Sequence, residues 1–146
     1  RGRPWHEAVI YEVHVGTGSE TGTFRGLEAR LGELADLGVT ALELMPIAEF
    51  PGARNWGYDG VLPFAPDASY GTPGDLKQLV DAAHAHGLMM LLDVVYNHFG
   101  PEGNYLHAYA GDFFNARHHT PWGSALNFDG PHSATVRRFF IDNALY

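Results

Sequence analysis

The stretch TPGDLKQLVDAAHAHGLMMLLDVVYNH, residues 72–98, decides the fold. Thr72 offers a capping oxygen, Pro73 brings a backbone angle suited to a first helical turn, and Asp75 stands three residues after the cap. Leu76, Leu79, Val80 and Ala83 then recur on one helical face until Gly87 ends the helix, predicted over 73–86. Residues 88–95 follow directly and are apolar almost throughout, as a parallel strand covered on both faces would be. Asp93, Asn97 and His98 then crowd the carboxyl end of that strand.

The same order recurs on the amino-terminal side. Residues 8–15 (AVIYEVHV) predict a strand halted by Gly16-Thr17-Gly18. Phe24, Leu27, Leu31, Leu34 and Leu37 predict one helix over 24–37 with Gly38 as its left-handed stop, and residues 39–45 (VTALELM) a short buried strand ended by Pro46. On the other side, Ser133 is placed to cap a helix over 133–146 that buries Val136, Phe139 and Phe140. Three strands alternate with three helices and no hairpin signal interrupts them, so the fold class is α/β with a parallel sheet.

Open doubly wound sheets and closed eight-stranded barrels both begin this way. The connections from helix to strand are one or two residues, whereas those from strand to helix, 46–71 and 96–131, are long. In barrels the strand-to-helix loops build the active face, and loops this long are usually functional. The second holds Tyr96, Phe99, Tyr105, Tyr109, Phe113, Phe114, Trp122 and Phe128, together with four of the chain's nine histidines.

Composition narrows the function classes. The 146 residues carry 17 acidic against 9 basic side chains, a net charge of -8, which opposes binding to a phosphate backbone. There is no cysteine, hence no disulfide framework and no thiolate metal site. No run approaches the roughly 18 apolar residues of a membrane span, and the first residues lack a signal-peptide core. A soluble protein with neither nucleic acid nor membrane as partner is expected. Length alone suggests one whole domain. The absent initiator Met and the close at Tyr146 inside a predicted helix instead lead us to expect a fragment.

Several motifs are missing or weak. Gly16-Thr17-Gly18 supplies two of the three glycines of a dinucleotide fingerprint, and no Gly-x-Ser-x-Gly elbow exists. His84 and His86 are two apart on a helix, so they read as surface rather than as a chelating pair. Glu12, His14 and Glu43 read as structural hydrogen-bonding groups in strands, and His118 and His119 equally well as ligand contacts or ordinary loop polar residues. Two clusters stand out. Asp93, Asn97 and His98 offer an acceptor, an amide and an imidazole at a strand end, although Asp93 could serve only to anchor the loop. Trp56 and Tyr58 flank Gly57 in Asn55-Trp56-Gly57-Tyr58-Asp59-Gly60 and offer flat rings suited to a sugar's C–H face, although a core-packing role for Trp56 is also plausible.

With both clusters in view, the chain resembles the α-amylase superfamily, glycoside hydrolase family thirteen. Asp93-Val94-Val95-Tyr96-Asn97-His98 is similar to that family's first signature region, and Gly38 through Pro46 to its second-strand region. Asn55 through Val61, Gly100 through Leu106, and the pieces Phe114-Asn115 and His118 through Gly123 resemble more specifically its maltooligosyltrehalose trehalohydrolases. The resemblance implies the first three βα units of a (β/α)8 barrel, incomplete in this chain. It implies cleavage of the α-1,4 bond that joins trehalose to a maltooligosaccharide, in the cytoplasm.

Carried over residue by residue, the resemblance implies that Tyr58 stacks on the glucose at the cleaved bond, His98 donates to its primary hydroxyl and Asp93 orients the site. Trp56 and Asn97 complete the substrate-binding set. Asn97 matches an asparagine that binds calcium in many amylases, but this motif cannot alone supply the six to eight oxygens calcium takes, so neither metal nor cofactor is expected. Retaining hydrolysis needs two carboxyl groups about 5–5.5 Å apart. The family places them on later strands, so we expect all catalytic acids beyond Tyr146 and an inactive isolated fragment. The partner expected is maltooligosyltrehalose or a related α-glucan, and the oligomeric state is left open. A glycogen branching or debranching enzyme, and a non-catalytic amylase-like glucan-binding protein, are the alternatives.

Overall fold

The computed structural model describes residues 2–146. In chain order its elements are β1 (Ile10–Val13), α1 (Phe24–Glu28), α2 (Leu31–Asp36), β2 (Ala41–Leu44), β3 (Ala48–Glu49), β4 (Leu62–Pro66), α3 (Pro73–Ala85), β5 (Met89–Leu92), α4 (Leu106–Tyr109), β6 (Phe114–Thr120), β7 (Gly123–Leu126) and α5 (Ser133–Leu145). Short 3-10 turns lie at Trp5–Glu7 and Gly111–Phe113. The chain divides into two compact units, one running to Ile47 and resuming over Ala65–Val94, the other made of Ala48–Phe64 and Val95–Tyr146.

The first unit is built on a parallel sheet in the order β1-β2-β5. Ile10 pairs with Ala41 and Ala41 with Met89, so the three strands run in step. Side chains alternate between the faces of a strand. Val13, Leu42 and Leu44 are buried on one face; Ile10 and Glu12 are exposed and Glu43 half-buried on the other. Residues 88–95 depart from the expectation of cover on both faces: Leu92, the last residue of β5, and Val94 beyond it are 49% and 44% exposed. No described strand pairs with its outer edge.

Helix α3 has the predicted punctuation. Asp75 N–H donates to Thr72 Oγ1 at 3.1 Å, and Thr72 N–H donates back to Asp75 Oδ2 at 2.9 Å. Gly87, at φ 74°, turns the chain out of the helix and into β5. The helix expected over 24–37 is instead two, α1 and α2. Arg30, at φ -100° and ψ -4°, stands at the N-cap of α2, and its guanidinium donates to the Gly18 carbonyl at 2.8 Å and to Glu33. Gly26 and Gly32 flank the break and lower its helical propensity. Leu37, expected on the buried face, is 75% exposed at the C-cap of α2, immediately before the left-handed Gly38 (φ 98°).

The second unit has an aromatic core of Phe99, Leu126, Val136 and Phe140, against which Tyr96, Leu106, Phe113, Phe114, Phe128 and Phe139 pack. The residues between β5 and α5 are therefore no open loop. They contain α4 and the antiparallel hairpin β6–β7, contrary to the expectation that no hairpin occurs. Its strand β6 reads FNARHHT and is largely exposed, so it lacks the apolar alternation that would announce it. Its turn is fixed by Thr120, whose Oγ1 accepts from the N–H groups of Trp122 and Gly123 at 3.2 and 3.0 Å. Likewise, 46–71 contains the short strands β3 and β4, which pair. At α5, His132 in the left-handed region (φ 61°) occupies the cap position, and Ser133, expected there, is the first helical residue and is buried.

Candidate functional site

Asn55 organises the turn that displays the two candidate rings. Gly57 N–H donates to Asn55 Oδ1 at 2.6 Å, Asp59 N–H reaches the same oxygen at 3.4 Å, and Asn55 Nδ2 donates to Asp59 Oδ2 at 3.0 Å. Gly57 sits at φ 103°, where a side chain would be strained, and is buried. Trp56 and Tyr58 on either side are 79% and 39% exposed. Trp56 is therefore not packed in the core of the described residues.

A second segment of the same unit lies against this turn. Gly100 N–H donates to the Gly60 carbonyl at 3.1 Å, and Val61 N–H to the Glu49 carbonyl at 2.8 Å. A Cβ on Gly100 would overlap the backbone carbonyl of Asp59, so a glycine is required for the two backbones to meet. Just before it, His98 is 6% exposed and its Nδ1 lies 3.2 Å from Asn97 Oδ1. Donation from Nδ1–H to that oxygen leaves Nε2 of a neutral imidazole as an acceptor, able to receive a hydrogen bond from a hydroxyl. Asn97 itself is exposed, and its carbonyl accepts from Leu126 N–H at 3.3 Å, tying the segment to β7.

Asp93 belongs to the first unit. It follows the last residue of β5, its N–H donates to the Leu44 carbonyl at 2.9 Å, and its side chain is half-buried. Of the five candidate residues, Trp56, Tyr58, Asn97 and His98 thus lie in the second unit and Asp93 in the first. Among the described residues no three His, Cys, Asp or Glu side chains gather as a metal-binding group. No described helix is long and apolar enough to cross a membrane.

The aromatic content of 96–131 is largely structural. Tyr96, Phe99, Phe113, Phe114 and Phe128 belong to the core, and only Tyr105, Tyr109 and Trp122 are exposed, by 67%, 76% and 67%. Tyr96 donates its hydroxyl to Asn143 Oδ1 at 2.5 Å, and burial raises its phenol pKa. Asp129 gathers a polar network that the sequence reading missed. His118 Nε2 lies 2.8 Å from Asp129 Oδ2, and Asn115 Nδ2 donates to Oδ1 at 2.7 Å. The His118 hydrogen bond, then Asn115 and the charge of nearby Arg117, hold the Asp129 carboxyl below its usual range against the opposing effect of desolvation. His118 is thereby hydrogen-bonded within the protein, and both it and His119 are exposed.

Comparison with known proteins bears on this arrangement. The family model for the alpha amylase catalytic domain matches residues 12–132. The chain belongs to this family. Over 140 residues it is 51% identical to the malto-oligosyltrehalose trehalohydrolase of Saccharolobus solfataricus, covering 96% of this chain and 25% of that protein. The corresponding enzyme of Deinococcus radiodurans is also 51% identical, with 96% and 24% covered. A 1,4-alpha-glucan branching enzyme of Pseudoalteromonas atlantica is 37% identical, with 94% and 21% covered. The chain thus spans about a quarter of the length of the curated relatives it matches.

Solved structures agree with the family assignment. The amylase-domain chain superposes on an alpha-amylase candidate from Salmonella typhimurium with a TM-score of 0.94 at 52% identity, covering 99% of this chain and 24% of that one. An alpha-amylase of Lactobacillus plantarum gives 0.80 at 32% identity, with 96% and 36% covered. The mixed α/β architecture is therefore that of part of an amylase catalytic domain.

Proposed function

We propose that this amylase-domain chain is the amino-terminal part, comprising three βα units over residues 1–146, of the (β/α)8 barrel of a trehalose-releasing glycoside hydrolase. The enzyme cleaves the α-1,4 bond next to the terminal trehalose of maltooligosyltrehalose. The observation that carries this reading is the 51% identity, across 96% of the chain, to two proteins named malto-oligosyltrehalose trehalohydrolase, against 37% for the branching enzyme. The reading keeps the cytoplasmic location that the resemblance implies.

In this reading the chain supplies recognition, and the two carboxyl groups of a retaining mechanism come from outside these 146 residues. Tyr58 offers its ring to the C–H face of the glucose at the cleaved bond, with Trp56 beside it in the same turn. His98, held by Asn97, meets the primary hydroxyl of that sugar. Given the hydrogen bond to Asn97, Nε2 receives that hydrogen bond while the imidazole is neutral and donates only as the imidazolium. Asp93 orients the approach from the strand end.

The test is product analysis with the full-length parent enzyme and maltooligosyltrehalose. Free trehalose is expected, accompanied by a maltooligosaccharide shortened by one disaccharide unit. Formation of branched glucan without trehalose would assign the protein to the branching enzymes instead.

A further inference from the structure

Tyr58 stands in a turn without regular secondary structure, so something other than a helix or strand must aim its ring. The candidates are few. Gly57 and Asp59, the residues immediately before and after Tyr58, both direct their N–H groups to Asn55 Oδ1. A carboxylate accepts and never donates, so the Asp59 side chain fixes which end of the Asn55 carboxamide faces it: Nδ2 toward Asp59 and Oδ1 toward the backbone. The following residue, Gly60, is held from outside the turn by Gly100. The backbone on both sides of Tyr58 is thus fixed before any sugar arrives.

We propose that Asn55 is a positioning residue for substrate stacking: its carboxamide, oriented by Asp59, holds the turn that presents Tyr58 to the sugar. The inference rests on the reading of Tyr58 as the stacking residue. Ordering a loop in its bound conformation in advance removes an entropic cost from binding, and a small misplacement of a substrate-positioning group lowers rate steeply. Asn55 touches no substrate in this account. Its effect passes through Tyr58.

The experiment measures kcat and KM of the full-length parent enzyme on maltooligosyltrehalose for Asn55→Ala, Tyr58→Ala and the double variant. Each single change is expected to lower kcat/KM by about tenfold. In the Tyr58→Ala background, Asn55→Ala is expected to add less than about twofold. A second pair covers the case in which Asn55→Ala fails to fold. Asn55→Asp sets two carboxylates side by side and should lower kcat/KM similarly. Asn55→Asp combined with Asp59→Asn restores an N–H-to-carboxylate hydrogen bond in the reverse direction and should recover most of the loss.

Normal kinetics for Asn55→Ala beside an impaired Tyr58→Ala would overturn the role of Asn55 alone. So would fully multiplicative losses in the double variant, or a reversed pair no better than Asn55→Asp. Normal kinetics for Tyr58→Ala would remove the stacking reading itself, and the proposal with it.

Discussion

Thr72 and Asp75 hold each other at the start of α3: each backbone N–H is bonded to the other's side chain, at 2.9 and 3.1 Å. The Thr72 hydroxyl and N–H, joined by Arg25 at 2.6 Å, bring the Asp75 carboxyl down to about 2. An unfolded-chain Asp titrates near roughly 3.9, so the folded state binds this proton less readily than the unfolded state. The resulting stabilisation is complete above the unfolded value and is lost as pH falls through about 4 toward 2. In the full-length protein, the gap in melting temperature between wild type and Asp75→Asn should be constant near neutrality and shrink in that acid window. A gap independent of pH would contradict this account. Thr72→Ala, which removes one capping oxygen, should cost about 1 kcal/mol in denaturant titration.

Gly100→Ala places a methyl group into the Asp59 carbonyl. Relief requires the two segments to separate, which breaks the bond from Gly100 to Gly60. A loss of about 1–3 kcal/mol in stability is expected, as for other overpacked positions, together with a rise in KM for the glucan if the proposed function holds. Stability and KM both at wild-type values would show that the segments do not need this contact.

Phe140 is 5% exposed and meets the rings of Tyr96, Phe99, Phe128 and Phe139. Phe140→Ala should destabilise the second unit by about 3–5 kcal/mol, read by chemical denaturation. A cost below about 1 kcal/mol would mean that the aromatic cluster is not its core.

Asp129→Ala removes the partner shared by His118 and Asn115. Amide hydrogens of β6 and β7 should exchange faster, while those of β1, β2 and β5 keep their rates. Unchanged exchange in the hairpin would show that its register is held by β pairing alone.

The 146 residues expressed alone should associate. β1 and β5 leave unpaired edges in the described sheet, and Ile10, Tyr11, Leu92 and Val94 are between 39% and 49% exposed. Sedimentation is expected to find oligomers or aggregate. A monomer with one cooperative thermal transition would refute this.

What could be read from the residues depended on how each element is specified. α3 was legible because its start, apolar face and stop are all local signals carried by Thr72, Pro73, Leu79 and Gly87. β6 was not, because its strand is set by the Thr120 turn and by Asn115 and His118 reaching Asp129 across sequence distance. The division of helix 24–37 depends likewise on Arg30 reaching Gly18. At the candidate site, ring chemistry drew attention to Trp56 and Tyr58, whereas Asn55 and Gly100 act through contacts that composition does not register. The phenylalanines of 96–131 misled in the opposite sense, since an aromatic-rich segment can fold on itself as readily as on a sugar.

The meeting of Gly100 with Asp59 also limits how this protein can be engineered. Exchanging residues 55–60 for a longer insert, or replacing 97–103 from a relative with different specificity, would change one half of an interlocked pair. The unit of transplantation is both segments together, and a library that varies either alone samples mostly broken proteins.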